Sequence, residues 1–172
     1  MKNFPPIFLV GFMGAGKTTV GRAVAQQLNS VFIDLDEMIE KQQGKSIQRI
    51  FSESGEIEFR RQETASILAC RDYRNAIIAL GGGAYISETN REILRGMGKT
   101  VWLDCPIEVC LMRIQNDVSR PLLGDEREMN ALLESRLPAY ALADFAVKTE
   151  ARSPEEIARE IVNFITELDP PA

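Results

Sequence analysis

Histidine is absent from the 172 residues of this chain. That absence excludes the commonest general base, the nucleophile triads built on imidazole and most catalytic zinc sites. Chemistry must then run on carboxylates, Lys, Arg, backbone amides or a bound metal. Cysteine is scarce: Cys70, Cys105 and Cys110 form an odd set with no CxxC pair, which reads as free buried thiols in a reducing cytosol. Positive charge is not in excess, with 20 Lys plus Arg against 25 Asp plus Glu and a formal net charge of -5. No basic field exists for non-specific nucleic-acid binding, so an anionic ligand must meet locally clustered cations. Long apolar runs are also missing. The stretch "MKNFPPIFLVGFMG" is broken by prolines and then by glycines, too soon for a signal peptide or a membrane helix. The expectation is a soluble, cytoplasmic protein that binds no nucleic acid and no membrane.

What is present is an alternation of short apolar runs with helical patterns, at a length that suits one α/β domain over residues 1–172. The runs "IFLV" (Ile7 to Val10), "VFI" (Val31 to Ile33), "AIIAL" (Ala76 to Leu80), "TVWLD" (Thr100 to Asp104) and "FAV" are predicted strands, and such continuously apolar strands suit a sheet covered on both faces. Helical spacing runs from Lys17 to Leu28 and through "DLDEMIEKQQG", where Gly44 is a stop. Ser46 caps "IQRIF", Gly55 breaks the chain before a charged helix from Glu56 to Cys70, and Pro106 opens another helix. A further helix is expected around Met129 to Ala143. "SPEE", from Ser153 to Glu156, is a capping box ahead of a last helix to about Leu168. Residues 116–128 are polar and aperiodic, punctuated by Pro121 and Gly124, and read either as a functional lid or as disorder.

"GFMGAGKT", Gly11 to Thr18, fits G-x-x-x-x-G-K-[ST] at every fixed position and sits between a buried strand and a helix, the context the motif requires. Successive N–H groups of such a loop and the helix N-terminus face phosphate oxygens, the lysine reaches the outer phosphates and the hydroxyl serves Mg²⁺. The candidate nucleotide-binding residues are Gly14, Ala15, Gly16, Lys17, Thr18 and Thr19. Asp34 and Asp36 close the second strand two residues apart, so an extended backbone points both carboxylates the same way into the crevice at the strand ends. One could hold a metal through water while the other orients or deprotonates a hydroxyl, or Asp36 simply caps the next helix. Gly81, Gly82 and Gly83 follow a buried strand at the same edge, where a ligand could touch bare backbone. Arg60 and Arg61 are either ligands or a solvated helix face. Arg120, in the candidate lid, could close on a transferring phosphoryl group, and Arg136 offers a bidentate fork.

"GFMGAGKTTVGRAVA", "DLDEMIE", "IQRIFSESGEIEFRRQE", "LGGGA", "SRPLL" and "SRLPAY", in that order, resemble the shikimate kinase family over nearly the whole chain. The resemblance implies a three-layer P-loop kinase fold like that of nucleoside monophosphate kinases: a five-stranded parallel sheet, helices on both faces and a mobile lid. It implies transfer of the γ-phosphoryl of ATP to the 3-hydroxyl of shikimate with Mg²⁺, a step in the biosynthesis of chorismate and the aromatic amino acids, by a monomer. Lys17 and Thr18 would serve the ATP phosphates and Mg²⁺, with Asp34 on the metal's water shell. Asp36 would bind the substrate hydroxyls and accept the proton. Arg60 and Arg136 would clamp the carboxylate, and Gly82 would touch the substrate through its backbone. Arg120 would cover the phosphates, with Arg113 and Arg152 near the adenine. A same-fold kinase for gluconate or a nucleoside monophosphate, or a non-catalytic nucleotide-binding switch, are the alternatives. The "DLD" and "EFRR" pair favours a hydroxylated carboxylate as acceptor.

Overall fold

The computed structural model describes residues 4–115 and 126–168. Five strands, β1 (Ile7–Val10), β2 (Val31–Asp34), β3 (Ala76–Ala79), β4 (Lys99–Asp104) and β5 (Phe145–Lys148), form one parallel sheet in the order β2-β3-β1-β4-β5. Side chains alternate across a strand, yet Ile7, Phe8, Leu9 and Val10 are all buried, so helices must cover both faces of the centre. Each such side chain contributes about 1.5–3 kcal/mol by leaving water. The edge strand β2 is half exposed, which explains the shorter apolar run there.

Among the described residues, seven α-helices connect and cover the strands: α1 (Lys17–Leu28), α2 (Leu35–Gln43), α3 (Ile47–Ala69), α4 (Glu88–Arg95), α5 (Ile107–Gln115), α6 (Glu126–Tyr140) and α7 (Pro154–Leu168). The expected punctuation is found. Gly44 ends α2 in the left-handed region, Ser46 caps α3 through Arg49 N–H, and Gly55 breaks α3 with φ 78° and ψ 170°. In the capping box, Glu156 N–H donates to Ser153 Oγ and Ser153 N–H donates to Glu156 Oε2. No helix among the described residues is long and apolar enough to cross a membrane.

Two expectations need correction. Asp34 and Asp36 do not share an extended strand end: the chain turns helical at Leu35, because the Asp34 carboxylate accepts from Asp36 N–H and Glu37 N–H. Asp34 is therefore the cap, and Asp36 lies in the first turn of α2. The predicted lid also extends too far, since residues 126–128 belong to α6, which starts and ends three residues before the predicted helix. Arg120 and the rest of that segment, 116–125, lie outside the described residues.

Candidate active site

The loop after β1 crosses the C-terminal edge of the sheet and enters α1 at Gly16, which adopts φ 95°. Asp34, Ser46, Ser87 and Ser153 cap α2, α3, α4 and α7 with their side chains, but Gly16 supplies no such cap and α1 has no acidic residue in its first turn. The start of α1 thus lacks the capping side chain that α2, α3, α4 and α7 have, as an anion site requires. Lys17 folds back on this loop, with Nζ donating to the Gly11 carbonyl at 2.8 Å and the Phe12 carbonyl at 2.9 Å. Thr18 Oγ1 donates to Asp34 Oδ2 at 2.7 Å. A hydroxyl and a carboxylate from separate elements thus sit side by side next to Lys17.

Farther along α1, a cavity of about 230 Å³ is lined by Ala15, Gly16, Thr19, Val20, Arg113, Arg152, Pro154 and Ile157. Arg113 Nη1 donates to the Gly14 carbonyl at 3.1 Å, which ties α5 to the loop. Arg152 is held from the other side by Glu160, at 2.6 Å, and by the Lys148 carbonyl. The two arginines named from sequence therefore meet Ala15, Gly16 and Thr19 around one cavity.

A second cluster surrounds Gly81, Gly82 and Gly83, directly after β3. A Cβ on Gly81 would come within 2.8 Å of Asp36 Oδ1 and 3.0 Å of Glu63 Oε1. On Gly82 it would lie 3.4 Å from Met13 N and 3.6 Å from Arg136 Nη1, and on Gly83 it would strike the Arg60 guanidinium at 2.7 Å. At Gly81 and Gly83 the lack of a side chain lets the carboxylates of Asp36 and Glu63 and the Arg60 guanidinium close over this backbone. Gly82 is the junction, because its carbonyl accepts from Arg136 Nη1 at 3.3 Å and any side chain on it would meet Met13 of the phosphate loop. Arg136 also stacks over Phe12 of that loop, 5.6 Å from the ring centroid.

Sequence reasoning missed two members of this cluster. Glu63, 1% exposed, accepts from Arg60 Nη1 at 2.9 Å through Oε2, while its buried Oε1 has no hydrogen-bond partner among the described residues. Burial pushes its carboxyl above the usual glutamate range; Arg60 opposes that and the Asp36 charge adds to it. Tyr140 Oη donates to the Gly82 carbonyl at 2.6 Å, and burial raises the phenol to about 12. Both were within reach of helical spacing, Glu63 three residues after Arg60 and Tyr140 four after Arg136. Arg61, by contrast, pairs with Glu58 on the solvent side and takes no part.

The chain matches a family model described as Shikimate kinase over residues 13–166. The chain belongs to the shikimate kinase family. It is 41% identical over 160 residues to a shikimate kinase of Persephonella marina, covering 92% of this chain and 98% of that one. Among solved structures it is similar to a shikimate kinase from Acinetobacter baumannii in complex with shikimate, with TM-score 0.90 and 37% identity over 98% and 96% of the two chains. A gluconokinase from Sinorhizobium meliloti shares the fold alone, at TM-score 0.62 and 18% identity over 98% and 95%.

Proposed function

We infer that this chain is an ATP-dependent kinase that transfers the γ-phosphoryl group to the 3-hydroxyl of shikimate, giving shikimate 3-phosphate and ADP. It serves the biosynthesis of chorismate and the aromatic amino acids, and acts as a cytoplasmic monomer of one domain. The observation that carries the reading is that Gly82, whose carbonyl accepts from Arg136 Nη1 at 3.3 Å, lies beside the phosphate loop, where a Cβ on it would fall 3.4 Å from Met13 N. A platform bearing Asp36, Arg60 and Arg136 beside the phosphate loop supports an acceptor site there. A small hydroxylated carboxylate matches that set, with an acid for hydroxyls and two guanidiniums for the carboxylate. A nucleotide acceptor would instead call for a base-stacking pocket on that side.

Mg²⁺ fits the donors at the loop. Thr18 and Asp34 offer two hard oxygens, and no group of three or more Cys, Asp or Glu side chains forms a closed metal cage among the described residues. A cation that keeps most of its water suits such a sparse set. Held there by Thr18 and Asp34, Mg²⁺ would supply positive charge to neutralise the phosphates. Lys17 would exchange its two loop carbonyls for phosphate oxygens. Asp36 would hold the attacking hydroxyl and take its proton, while Arg60 and Arg136 fix the acceptor by its carboxylate. Arg113 and Arg152 flank the cavity assigned to the adenine side, and Arg120 carries the phosphate-covering role implied by the family resemblance. Phosphoryl transfer has a loose transition state, so positioning and positive charge outweigh a strong base, and the lack of histidine is no obstacle.

An assay coupled to ADP release tests this reading. Turnover should require Mg²⁺ and shikimate together. Turnover with gluconate or a nucleoside monophosphate and none with shikimate would refute it, and hydrolysis independent of any acceptor would point to a nucleotide switch.

A further inference from the structure

Phosphoryl transfer makes no use of Cys105 and Cys110, yet both pack beneath the phosphate loop. Cys105 follows the last residue of β4, and Cys110 lies in the opening turns of α5, where its Sγ sits 3.9 Å from the Cys105 carbonyl. That bond to the Cys105 carbonyl folds the Cys110 side chain back onto the turn that carries Cys105. Arg113 Nη1 stands 3.8 Å from Cys105 Sγ while it donates to the Gly14 carbonyl. Gly14, at φ 77°, has no room above this turn: a Cβ there would fall 2.7 Å from the Cys110 carbonyl. Movement of the Cys110 turn is therefore passed directly to the loop that holds the phosphates.

The surroundings separate the two sulfurs. The Cys110 thiol donates to Cys105, Thr149 adds a hydrogen bond and Arg113 adds charge, so Cys105 is held well below the usual thiol range against burial and Asp104. Cys110 is pushed up, first by its bond to Cys105 and then by burial, with only partial relief from Lys17 and Arg113. One sulfur is thereby a nucleophile and its neighbour a proton-bearing reserve, the division of labour of a redox-active dithiol. The third cysteine is a built-in control. Cys70 is buried at the end of α3, donates to the Ser66 carbonyl at 3.3 Å, and burial raises its thiol to about 11.

We propose that Cys105 and Cys110 are a peroxide-oxidised pair whose disulfide weakens nucleotide binding by displacing Arg113 and the α5 turn from Gly14. The Cys105 thiolate attacks one peroxide oxygen and the O–O bond breaks. The leaving oxygen takes a proton from solvent and departs as water, or as an alcohol from an organic peroxide. Cys105 is then a sulfenic acid. The Cys110 sulfur attacks the Cys105 sulfur, the S–O bond breaks, and the released hydroxide leaves as water with the Cys110 proton. Two thiols have lost two electrons and two protons, and one peroxide has been reduced. A thiol reductant reverses the bond. With Cys105 only 6% exposed, a small peroxide suits the site better than a bulky electrophile.

The intact protein, titrated with hydrogen peroxide, should lose two of its three thiols and two hydrogens in mass. Peptide mapping should place the bond between Cys105 and Cys110. Calorimetric titration with ATP should then show affinity reduced roughly ten-fold or more, in keeping with the sensitivity of phosphate cradles to small displacements, and dithiothreitol should restore it. Cys110→Ser should stop at a sulfenic acid that dimedone traps, Cys105→Ser should block the reaction, and Cys70→Ser should change nothing. A disulfide that includes Cys70, equal oxidation rates at all three thiols, or a Cys105–Cys110 bond with unchanged ATP affinity would overturn the proposal. None of these readouts depends on the identity of the phosphoryl acceptor.

Discussion

Tyr140 Oη donates to the Gly82 carbonyl at 2.6 Å while its ring stacks with Trp102 at a centroid separation of 6.1 Å. The tyrosine thereby fixes the orientation of the peptide that joins the phosphate loop to the acceptor platform. Tyr140→Phe keeps the ring and removes the donor. Arg136 Nη1 still reaches the same carbonyl at 3.3 Å, so the loss should stay near 1 kcal/mol, roughly five-fold. It should fall on kcat/KM for shikimate and leave the KM for ATP unchanged. A change confined to ATP would detach Tyr140 from the acceptor side.

Asp34 has two tasks that one substitution can separate. It caps α2 through Asp36 N–H and Glu37 N–H, and it meets Thr18 Oγ1 at 2.7 Å. Asparagine caps a helix about as well as aspartate but brings no charge to a cation. Asp34→Asn should keep the melting temperature near wild type and raise the Mg²⁺ concentration for half-maximal activity several-fold. Asp34→Ala should also lose about 1 kcal/mol of stability. Equal Mg²⁺ dependence in wild type and the asparagine variant would remove Asp34 from the metal's surroundings.

Asp36 gives its N–H to the Asp34 cap, while its carboxylate faces the glycine platform, where a Cβ on Gly81 would fall 2.8 Å from Oδ1. Asp36→Asn should lower kcat by roughly 10²-fold or more, the usual scale of a positioned proton acceptor, with ATP affinity intact. Near-normal turnover would restrict Asp36 to a structural role in α2.

How much of this could be read from the chain depended on how local each interaction is. The central strands were legible because two covered faces demand unbroken apolar runs, and Ser46, Gly44, Gly55 and the Ser153 box signal helix ends within three or four residues. The helix α4 was not, because "ETNREILR" is strongly polar, with Ile93 and Leu94 its only apolar residues, so its amphipathic period is carried by charged and polar positions rather than by an apolar stripe. In the site, the phosphate loop is a contiguous motif and Asp36, Arg60 and Arg136 are of telling residue types. Glu63 and Tyr140 gain their roles from the packing of α3 and α6 around the loop after β3, which only the tertiary fold brings together. The strand-end reading of Asp36 failed because the Asp34 cap competes with the extended backbone.

Arg60 and Arg136 should respond differently to truncation. Arg136 donates to a carbonyl that keeps Tyr140, whereas Arg60 pairs with the buried Glu63. Arg136→Ala should cost shikimate binding about 2–3 kcal/mol with little loss of stability. Arg60→Ala should lower shikimate affinity and the melting temperature together, because it strands Glu63. Loss of ATP affinity in either variant, measured by calorimetry, would contradict their assignment to the acceptor carboxylate.

Glu63 also gives stability a pH dependence whose sign can be worked out. Its folded-state pKa is raised above the ordinary glutamate value of 4.5, with burial as the main cause. Above 4.5 the folded protein binds more protons at this site than the unfolded chain, so unfolding free energy falls as pH rises. The contribution is complete below 4.5 and is lost as pH passes through the folded-state value. Glu63→Gln keeps the size and an acceptor for Arg60 but does not titrate. Urea melts of the two proteins between about pH 4 and pH 8 should therefore diverge, with the variant gaining on wild type as pH rises. A difference that stays constant with pH, or that moves in favour of wild type, would mean that Arg60 outweighs burial and keeps Glu63 ionised throughout.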